Sequence, residues 1–175
     1  MSWHDIAYEL IDLRSFSSLW YWIALAASWS LISHWGVGVP YDMVWRARRR
    51  GGQAEEDLEN LVRINCTRIF FILRKSGIVV AGFSSAFFTT LLILGFWYRV
   101  EFAQAVFLLT FPLSFVAAIT IKTAHDITTK GLTGEKMRQR LLRHRIYVQA
   151  LGIVAIFLTA FWGMIVNMSI GPLGS

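Results

Sequence analysis

Residues 77–98 read GIVVAGFSSAFFTTLLILGFWY and contain no Asp, Glu, Lys, Arg or His. A helix of this length covers roughly 30 Å, which is the thickness of the hydrocarbon core of a bilayer. Similar apolar stretches occur at about 16–37, 102–121 and 146–168. The sequence therefore predicts four transmembrane helices.

The overall composition indicates a membrane protein. Hydrophobic residues make up 55% of the chain and charged residues 16%, and the mean hydropathy is +0.51. Long uncharged apolar runs distinguish membrane proteins from soluble domains. The net charge of +6 is compatible with nucleic-acid binding, but the positive residues lie beside apolar stretches, where they set topology and meet anionic headgroups. We therefore expect membrane lipids, including anionic headgroups, as partners and no nucleic acid.

The basic residues are divided unevenly among the segments that connect these stretches. Fifteen of the 17 Lys and Arg residues lie in the loops 40–75 and 122–145, whereas Arg14 and Arg99 are alone in their segments. Positively charged loops stay in the cytoplasm. The pattern predicts a multi-pass protein of the bacterial inner membrane with both termini on the non-cytoplasmic side.

Two kinds of helix are expected outside the spans. Residues 2–14 show apolar residues at helical spacing opposite an acidic face, which is typical of an interfacial helix. An apolar stripe through loop 40–75 predicts one helix from about Ala54 to Trp97, and the second half of loop 122–145 continues into the fourth span. The predicted fold is an all-α integral membrane protein: four transmembrane helices in an antiparallel bundle, an N-terminal amphipathic interfacial helix and cytoplasmic extensions of helices 2 and 4.

Small residues repeat at intervals of four along three spans, and such ladders let membrane helices approach closely. Whether these contacts form within one chain or between chains stays open, although a four-helix bundle can use all of them itself. Pro112 lies in the middle of the third span, where we expect a kink. The ladders are Ala24 and Ser28; Gly77, Ala81 and Ser85; and Ala155, Thr159 and Gly163.

The spans contain little that could perform chemistry. The second, third and fourth lack ionisable groups of the kind that form proton relays or ion pathways. His34, His125 and His144 fall near the cytoplasmic boundary without the spacing of paired metal ligands. Cys66 has no partner cysteine and is predicted to be a packing residue. We therefore predict no catalytic residues, no cofactor, no metal and no enzymatic activity.

The charged cytoplasmic face is the candidate partner or lipid surface. Four arginines in the first loop are suited to anionic lipid, and the acidic residues that follow could neutralise them, pair with the second basic loop or dock a basic partner. A solvated, self-neutralised face is the alternative. The residues are Arg46, Arg48, Arg49, Arg50, Glu55, Glu56, Asp57, Glu59, Arg138, Arg140, Arg143 and Arg145.

Four segments carry a family resemblance: IDLRSFS at 11–17, GVPYDMV at 38–44, GGQAE at 51–55 and VEFAQAVF at 100–107. Together they resemble small alphaproteobacterial membrane proteins labelled as components of the Suf iron–sulfur assembly complex. The resemblance extends over most of the chain. It implies a membrane anchor or accessory role for cytoplasmic assembly machinery.

The leading hypothesis is a non-catalytic inner-membrane accessory, anchoring or assembly subunit that binds a protein partner at its cytoplasmic face. The alternative is a small transporter or channel-like subunit for an uncharged substrate, in which the Pro112 kink opens a cavity. A membrane enzyme or redox protein is a third class, which a bound cofactor or visible absorbance would reveal.

The topology makes a direct prediction. A reporter fused after Ser175 should be active only when it functions outside the cytoplasm, because the basic loops hold the opposite face inside. Enzymatic reporters specific to each compartment measure this. Activity of a cytoplasmic reporter at the same position would overturn the predicted orientation.

Overall fold

The computed structural model describes Phe16 and residues 18–170, with side chains up to residue 168; the interfacial helix predicted at 2–14 lies outside the described residues. Within them the chain forms five α-helices and one β-hairpin. The elements are α1 (Leu19–Ser33), β1 (Trp35–Gly36), β2 (Val39–Pro40), α2 (Tyr41–Arg50), α3 (Gln53–Leu92, continued by a π-helical turn at Ile93–Trp97), α4 (Glu101–Thr129) and α5 (Gly134–Ile170).

Three helical segments are long and apolar enough to cross a membrane: Gln53–Trp97, Glu101–Thr129 and Gly134–Met168. The first apolar stretch, predicted at 16–37, forms only the 15-residue helix α1. At 1.5 Å per residue α1 is about 22 Å long, shorter than a typical hydrocarbon core. The structure is thus a helical protein with three membrane-length helices and one shorter apolar helix.

A hairpin follows α1, where the sequence predicted the end of a helix. Trp35 pairs with Pro40 and Gly36 with Val39 in antiparallel register. The two residues of the turn, Val37 (φ 54°) and Gly38 (φ 72°), both adopt left-handed backbone conformations, as tight hairpin turns require. Apolar residues that we assigned to the first span therefore leave the helix, and Val37 and Val39 become buried.

The long second helix is confirmed, with an unexpected end. α3 runs unbroken from the charged segment through the apolar stretch, and the π-helical turn then widens it. Gly95 lies in this turn against α4: a Cβ there would stand 3.0 Å from the backbone nitrogen of Gln104. Close approach of the two backbones accounts for the glycine, and π-turns commonly mark such irregular sites.

The two segments predicted to be cytoplasmic loops contain more helix than the expected extensions of helices 2 and 4. α2 occupies residues within 40–75. α4 passes Pro112 without interruption and continues to Thr129, so that only residues 130–133 connect it to α5. The continuation of α4 buries Thr123, Ala124 and Ile127, and this burial stabilises the extra helical turns.

Buried side chains form two separate clusters. One lies in what we call the head: the hairpin, α2, residues 53–72 of α3, residues 122–129 of α4 and residues 134–145 of α5. It consists of Val37, Val39, Tyr41, Val44, Ala47, Leu58, Val62, Cys66, Ala124, Ile127, Met137 and Leu141. The other joins α1 to α4 and α5 in the apolar part and consists of Leu25, Trp29, Val116, Val148 and Ala155.

The small-residue ladders have different outcomes. Ala155, Thr159 and Gly163 are buried, and a Cβ at Gly163 would stand 3.3 Å from the Phe16 ring, so this ladder is a packing seam. The ladder on α3 forms no seam with the part of the chain that the structure describes: within it, no atom lies within 4 Å of a Cβ built at Gly77.

On α1 the buried residues are Leu25 and Trp29, whereas Ala24 of the predicted ladder is exposed. A Cβ at Gly152 of α5 would stand 2.9 Å from the Trp29 ring. A large side chain of α1 therefore fits against a glycine of α5, which the predicted ladder of small residues on α1 did not indicate.

The buried Gln104 side chain ties three elements together. Its Nε2 donates to the Gly95 carbonyl at 2.7 Å, and its Oε1 accepts from the Trp162 indole at 2.9 Å. The first bond satisfies a carbonyl of the π-turn and the second joins α4 to α5. No sequence pattern singled out this uncharged side chain.

We expect Gln104→Leu to lower the free energy of unfolding by about 1–3 kcal/mol, because it leaves the Gly95 carbonyl and the Trp162 indole without their partner. Denaturant titration in detergent measures this. Gln149→Leu, the same change at an exposed position of α5, is the control. Equal stability of the two variants would contradict the role given to Gln104.

Candidate functional site

Tyr41 fixes α2 onto α5 in the head. Its hydroxyl donates to the Leu141 carbonyl at 3.2 Å, and the Arg145 guanidinium lies 4.8 Å from its ring centroid. A Cβ at Gly36 would stand 2.5 Å from the hydroxyl oxygen, so only glycine fits beneath it. Burial raises the pKa of Tyr41, against the opposing effect of Arg145, and the phenol stays neutral. Arg145 of the predicted surface is therefore part of this packing.

The beginning of α3 is bound to the beginning of α5. The Glu55 carboxylate pairs with Arg138, which also pairs with Glu135 at 2.6 Å. Glu59 accepts a hydrogen bond from the Gly134 backbone N–H at 2.6 Å. Glu55 pairs with the second basic segment, which is one of the three roles considered for the acidic stretch. Glu59 instead caps the amino end of α5.

These contacts hold the charges in place. The hydrogen bond from Arg138 lowers the pKa of Glu135, and the same bond raises the pKa of Arg138. Both groups therefore remain ionised across the physiological range. Two carboxylates of the acidic stretch stay on the outside: Glu56 and Asp57 are exposed, and Asp57 accepts from Gln53 at 3.0 Å.

The arginines of α2 point outward at its carboxyl end. Arg46 pairs with Asp42 at 3.2 Å on the exposed surface, and the Arg48 guanidinium lies 5.5 Å from the centroid of the Trp45 ring. Among the described residues, no carboxylate lies within 4 Å of the charged groups of Arg49 or Arg50. Positive charge is stabilised at the carboxyl end of a helix, and this cluster, Arg48–Arg50, is exposed, with Glu135 near enough to interact electrostatically with Arg48.

Arg140 and Arg143 lie on α5 but in different surroundings. Arg140 is buried and donates to Asp126 Oδ2 from Nη2 at 2.8 Å and from Nε at 3.1 Å. Lys130 also contacts Asp126, at 3.0 Å. Hydrogen bonds from Lys130 and then Arg140 lower the pKa of Asp126. Arg143 is exposed. The twelve predicted residues are therefore divided between internal contacts and outward surface.

His144, which the sequence placed near the cytoplasmic boundary, is a buried polar residue, and this burial was not predicted. It is 1% exposed, and its Nδ1 lies 3.2 Å from the Thr123 hydroxyl. Burial, together with the positive charge of Arg140, lowers the pKa of the imidazole to about 4. Met137, Leu141 and Val148 form the apolar stripe of α5 at helical spacing, and His144 falls on that stripe; this signal could have shown its burial.

Cys66 lies in the head core, beside a cavity of about 320 Å³ whose other walls include Val62, Ile127 and Met137. Burial raises the pKa of the thiol, against a hydrogen bond with Thr128, so the reactive thiolate is disfavoured. Within the described part of the chain, no three His, Cys, Asp or Glu side chains are grouped so that they could hold a metal ion. The head therefore presents a folded surface on which charged side chains are held in fixed positions.

The burial of neutral His144 makes the stability of the head depend on pH. Between the ordinary value of 6.5 and about 4, the unfolded chain takes up a proton that the folded chain does not, so stability falls as the pH falls. We expect a loss of about 2 kcal/mol from pH ~7 to pH ~5, since one pKa unit corresponds to about 1.4 kcal/mol.

Denaturant titration across this pH range checks the effect. His144→Gln should remove this part of the pH dependence, whereas His125→Gln, at an exposed position of α4, should leave it unchanged. The same pH dependence in His144→Gln and the unaltered chain would refute the assignment.

Comparison with known proteins adds no family name. No protein-family model, no curated protein and no solved structure matches this chain. The geometry and charge of the head are therefore the basis of the function proposed below.

Proposed function

We propose that this chain is a non-catalytic accessory, anchoring or assembly subunit of the bacterial inner membrane that binds a cytoplasmic protein through its head. In this proposal α1 is the fourth, shorter span, both termini are non-cytoplasmic and the head projects into the cytoplasm. The observation that carries it is the buried core of the head, which turns two charged segments into one rigid surface.

Rigidity favours binding because little conformational freedom is lost on association. Leu58 and Leu141 are fully buried, and Tyr41 joins α2 to α5 through its hydroxyl. Since α3 and α5 continue from the head into apolar segments, a partner bound to the head would be held at a fixed distance from the membrane. Anchoring requires this property.

The Arg48–Arg50 cluster defines the chemistry of the partner. The acids Glu55 and Glu59 are occupied by Arg138 and Gly134, and Glu135, which interacts with Arg48, is paired with Arg138. Among the described residues, Arg49 and Arg50 have no carboxylate within 4 Å. A partner with an acidic patch would meet guanidinium groups, which bind carboxylates in a planar, bidentate manner. Complementary charge of this kind chiefly sets the association rate and specificity.

The resemblance to proteins labelled as Suf components adds one specific candidate. It makes cytoplasmic iron–sulfur assembly machinery the class of partner to examine first. Under this proposal the chain would hold such machinery at the membrane and would not itself ligate a cluster. The class of partner stays a prediction.

The tagged full-length chain, purified in mild detergent after cross-linking, should retain a stoichiometric partner. Arg48→Gln/Arg49→Gln/Arg50→Gln should lower the recovered partner about tenfold or more, as expected for loss of several charge-assisted contacts. Quantitative mass spectrometry measures the recovered amount.

Lys122→Gln/Lys136→Gln/Arg143→Gln is the matched control, because it removes three exposed cations of α4 and α5 and the same net charge. It should retain the partner. Equal loss in both variants would reduce the effect to net charge, and recovery of the chain alone in several detergents would refute the proposal.

A further inference from the structure

A cleft of about 600 Å³ lies between α4 and α5, and its walls are two rows of charged residues. Lys122, Asp126 and Lys130 succeed one another at intervals of four along α4. Lys136, Arg140 and Arg143 follow one face of α5 opposite them. Residues at such spacings project from the same side of a helix. The sequence placed these cations in one loop but could not show that they face each other.

Most of the positive charge in the cleft is uncompensated. Its lining has five cationic side chains and one carboxylate. That carboxylate, Asp126, is engaged by Arg140 and Lys130. Within the described residues, no Asp or Glu comes within 4 Å of the charged nitrogens of Lys122, Lys136 or Arg143. The cleft therefore attracts an anion.

Arg140 supplies a rigid wall for such an anion. Its residue surface is 8% exposed, and two bonds to Asp126, at 2.8 and 3.1 Å, fix the guanidinium plane. A guanidinium has five N–H donors, so donors remain beyond those used for Asp126. Arginine held in this way is suited to phosphate oxygens.

The position of the cleft along the helices indicates where the anion comes from. Ile119 and Tyr147 line it beside the polar residues, and both lie next to the ends of the apolar stretches at 121 and 146. Tyrosine is typical of the membrane–water interface. Headgroup phosphates lie at this depth, and basic pockets between membrane helices on the cytoplasmic side bind anionic headgroups.

We propose that this cleft is a specific site for the phosphate group of an anionic phospholipid, with the headgroup among Lys122, Lys136, Arg140 and Arg143 and the acyl chains against the apolar surface below Tyr147. The site is separate from the Arg48–Arg50 cluster and does not depend on the proposed protein partner. The general attraction of the basic loops for anionic lipid is thereby assigned to one defined pocket.

Binding is measured with the purified full-length chain in a zwitterionic detergent, titrated with short-chain phosphatidylglycerol by calorimetry. Lys122→Gln/Lys136→Gln/Arg143→Gln should weaken the affinity on the order of 100-fold, since each Lys or Arg near an anionic headgroup contributes roughly one factor of five. These residues are exposed, so the fold should persist. Lys122→Arg/Lys136→Arg/Arg143→Lys keeps the charges and should retain binding.

Arg48→Gln/Arg49→Gln/Arg50→Gln removes the same charge from α2 and should bind phosphatidylglycerol like the unaltered chain. Phosphatidylcholine of the same chain length should not bind. Inorganic phosphate alone provides the other arm. If phosphate bound with the same dependence on the three residues while the lipid did not, the lipid source would be wrong.

Equal loss of lipid affinity in the two glutamine variants would overturn the pocket, because it would show an effect of net charge only. Retained affinity in the variant of Lys122, Lys136 and Arg143 would overturn it as well. This measurement contains no other protein, so its result is independent of the partner test. In the partner test the variant of Arg48, Arg49 and Arg50 is expected to lose binding and the variant of Lys122, Lys136 and Arg143 is the control, whereas the lipid titration has the opposite assignment.

Discussion

Helix continuity between the apolar part and the charged part is the constraint on which the structure depends. α3 and α5 each pass from a charged amphipathic segment into an apolar one without a break, and α4 does so in the opposite order. Because each of these helices is continuous, its backbone hydrogen bonds run through both the apolar and the charged segment. The same three helices must therefore pack in an apolar and in a charged environment. The small residues Ala155, Thr159 and Gly163 of α5 pack within the apolar segments. The stripe of α5 that includes Leu141 packs within the head.

The head owes its form to two elements that follow α1. The hairpin reverses the chain and buries Val37 and Val39; α2 then packs against α3 and is joined to α5 by the Tyr41 hydroxyl. Because these contacts are apolar or hydrogen-bonded and buried, they position the charges around them. Exposed ion pairs such as Arg46–Asp42 contribute little by comparison. The core therefore positions the exposed charges, whereas the less exposed pairs of Arg138 with Glu55 and of Arg140 with Asp126 join the helices themselves.

The charged side chains of the head fall into two groups, those that are paired with one another and those that are exposed. Glu55, Glu59 and Arg138 close the contact between α3 and α5, whereas Arg48–Arg50 and the cleft cations Lys122, Lys136 and Arg143 are exposed. The chain has a net charge of +6. Because some charged groups are paired inside the head and others are exposed, the head can satisfy its internal charges and still present positive charge to a ligand. Two separate basic regions suit two separate ligands, a protein with acidic groups and a phospholipid.

The amino-acid sequence by itself determined which segments are apolar helices and where the charge lies. The continuous helix through Ala54 and Trp97 follows from its periodicity, and so does the continuation of residues before 146 into the last helix. Local patterns carry this information because hydrophobicity and helix periodicity are properties of neighbouring residues.

Only the tertiary structure decided the contacts between distant segments. The bond from the Trp162 indole to Gln104, the burial of His144 and the facing rows of the basic cleft join residues far apart in the chain, and their energies depend on packing that no local pattern encodes. The hairpin at Val37 and Gly38 is local in sequence, but the burial of Val37 and Val39 depends on the same packing. The same limit explains the ladder of Gly77: its spacing is right for a seam, but among the described residues no helix lies against it.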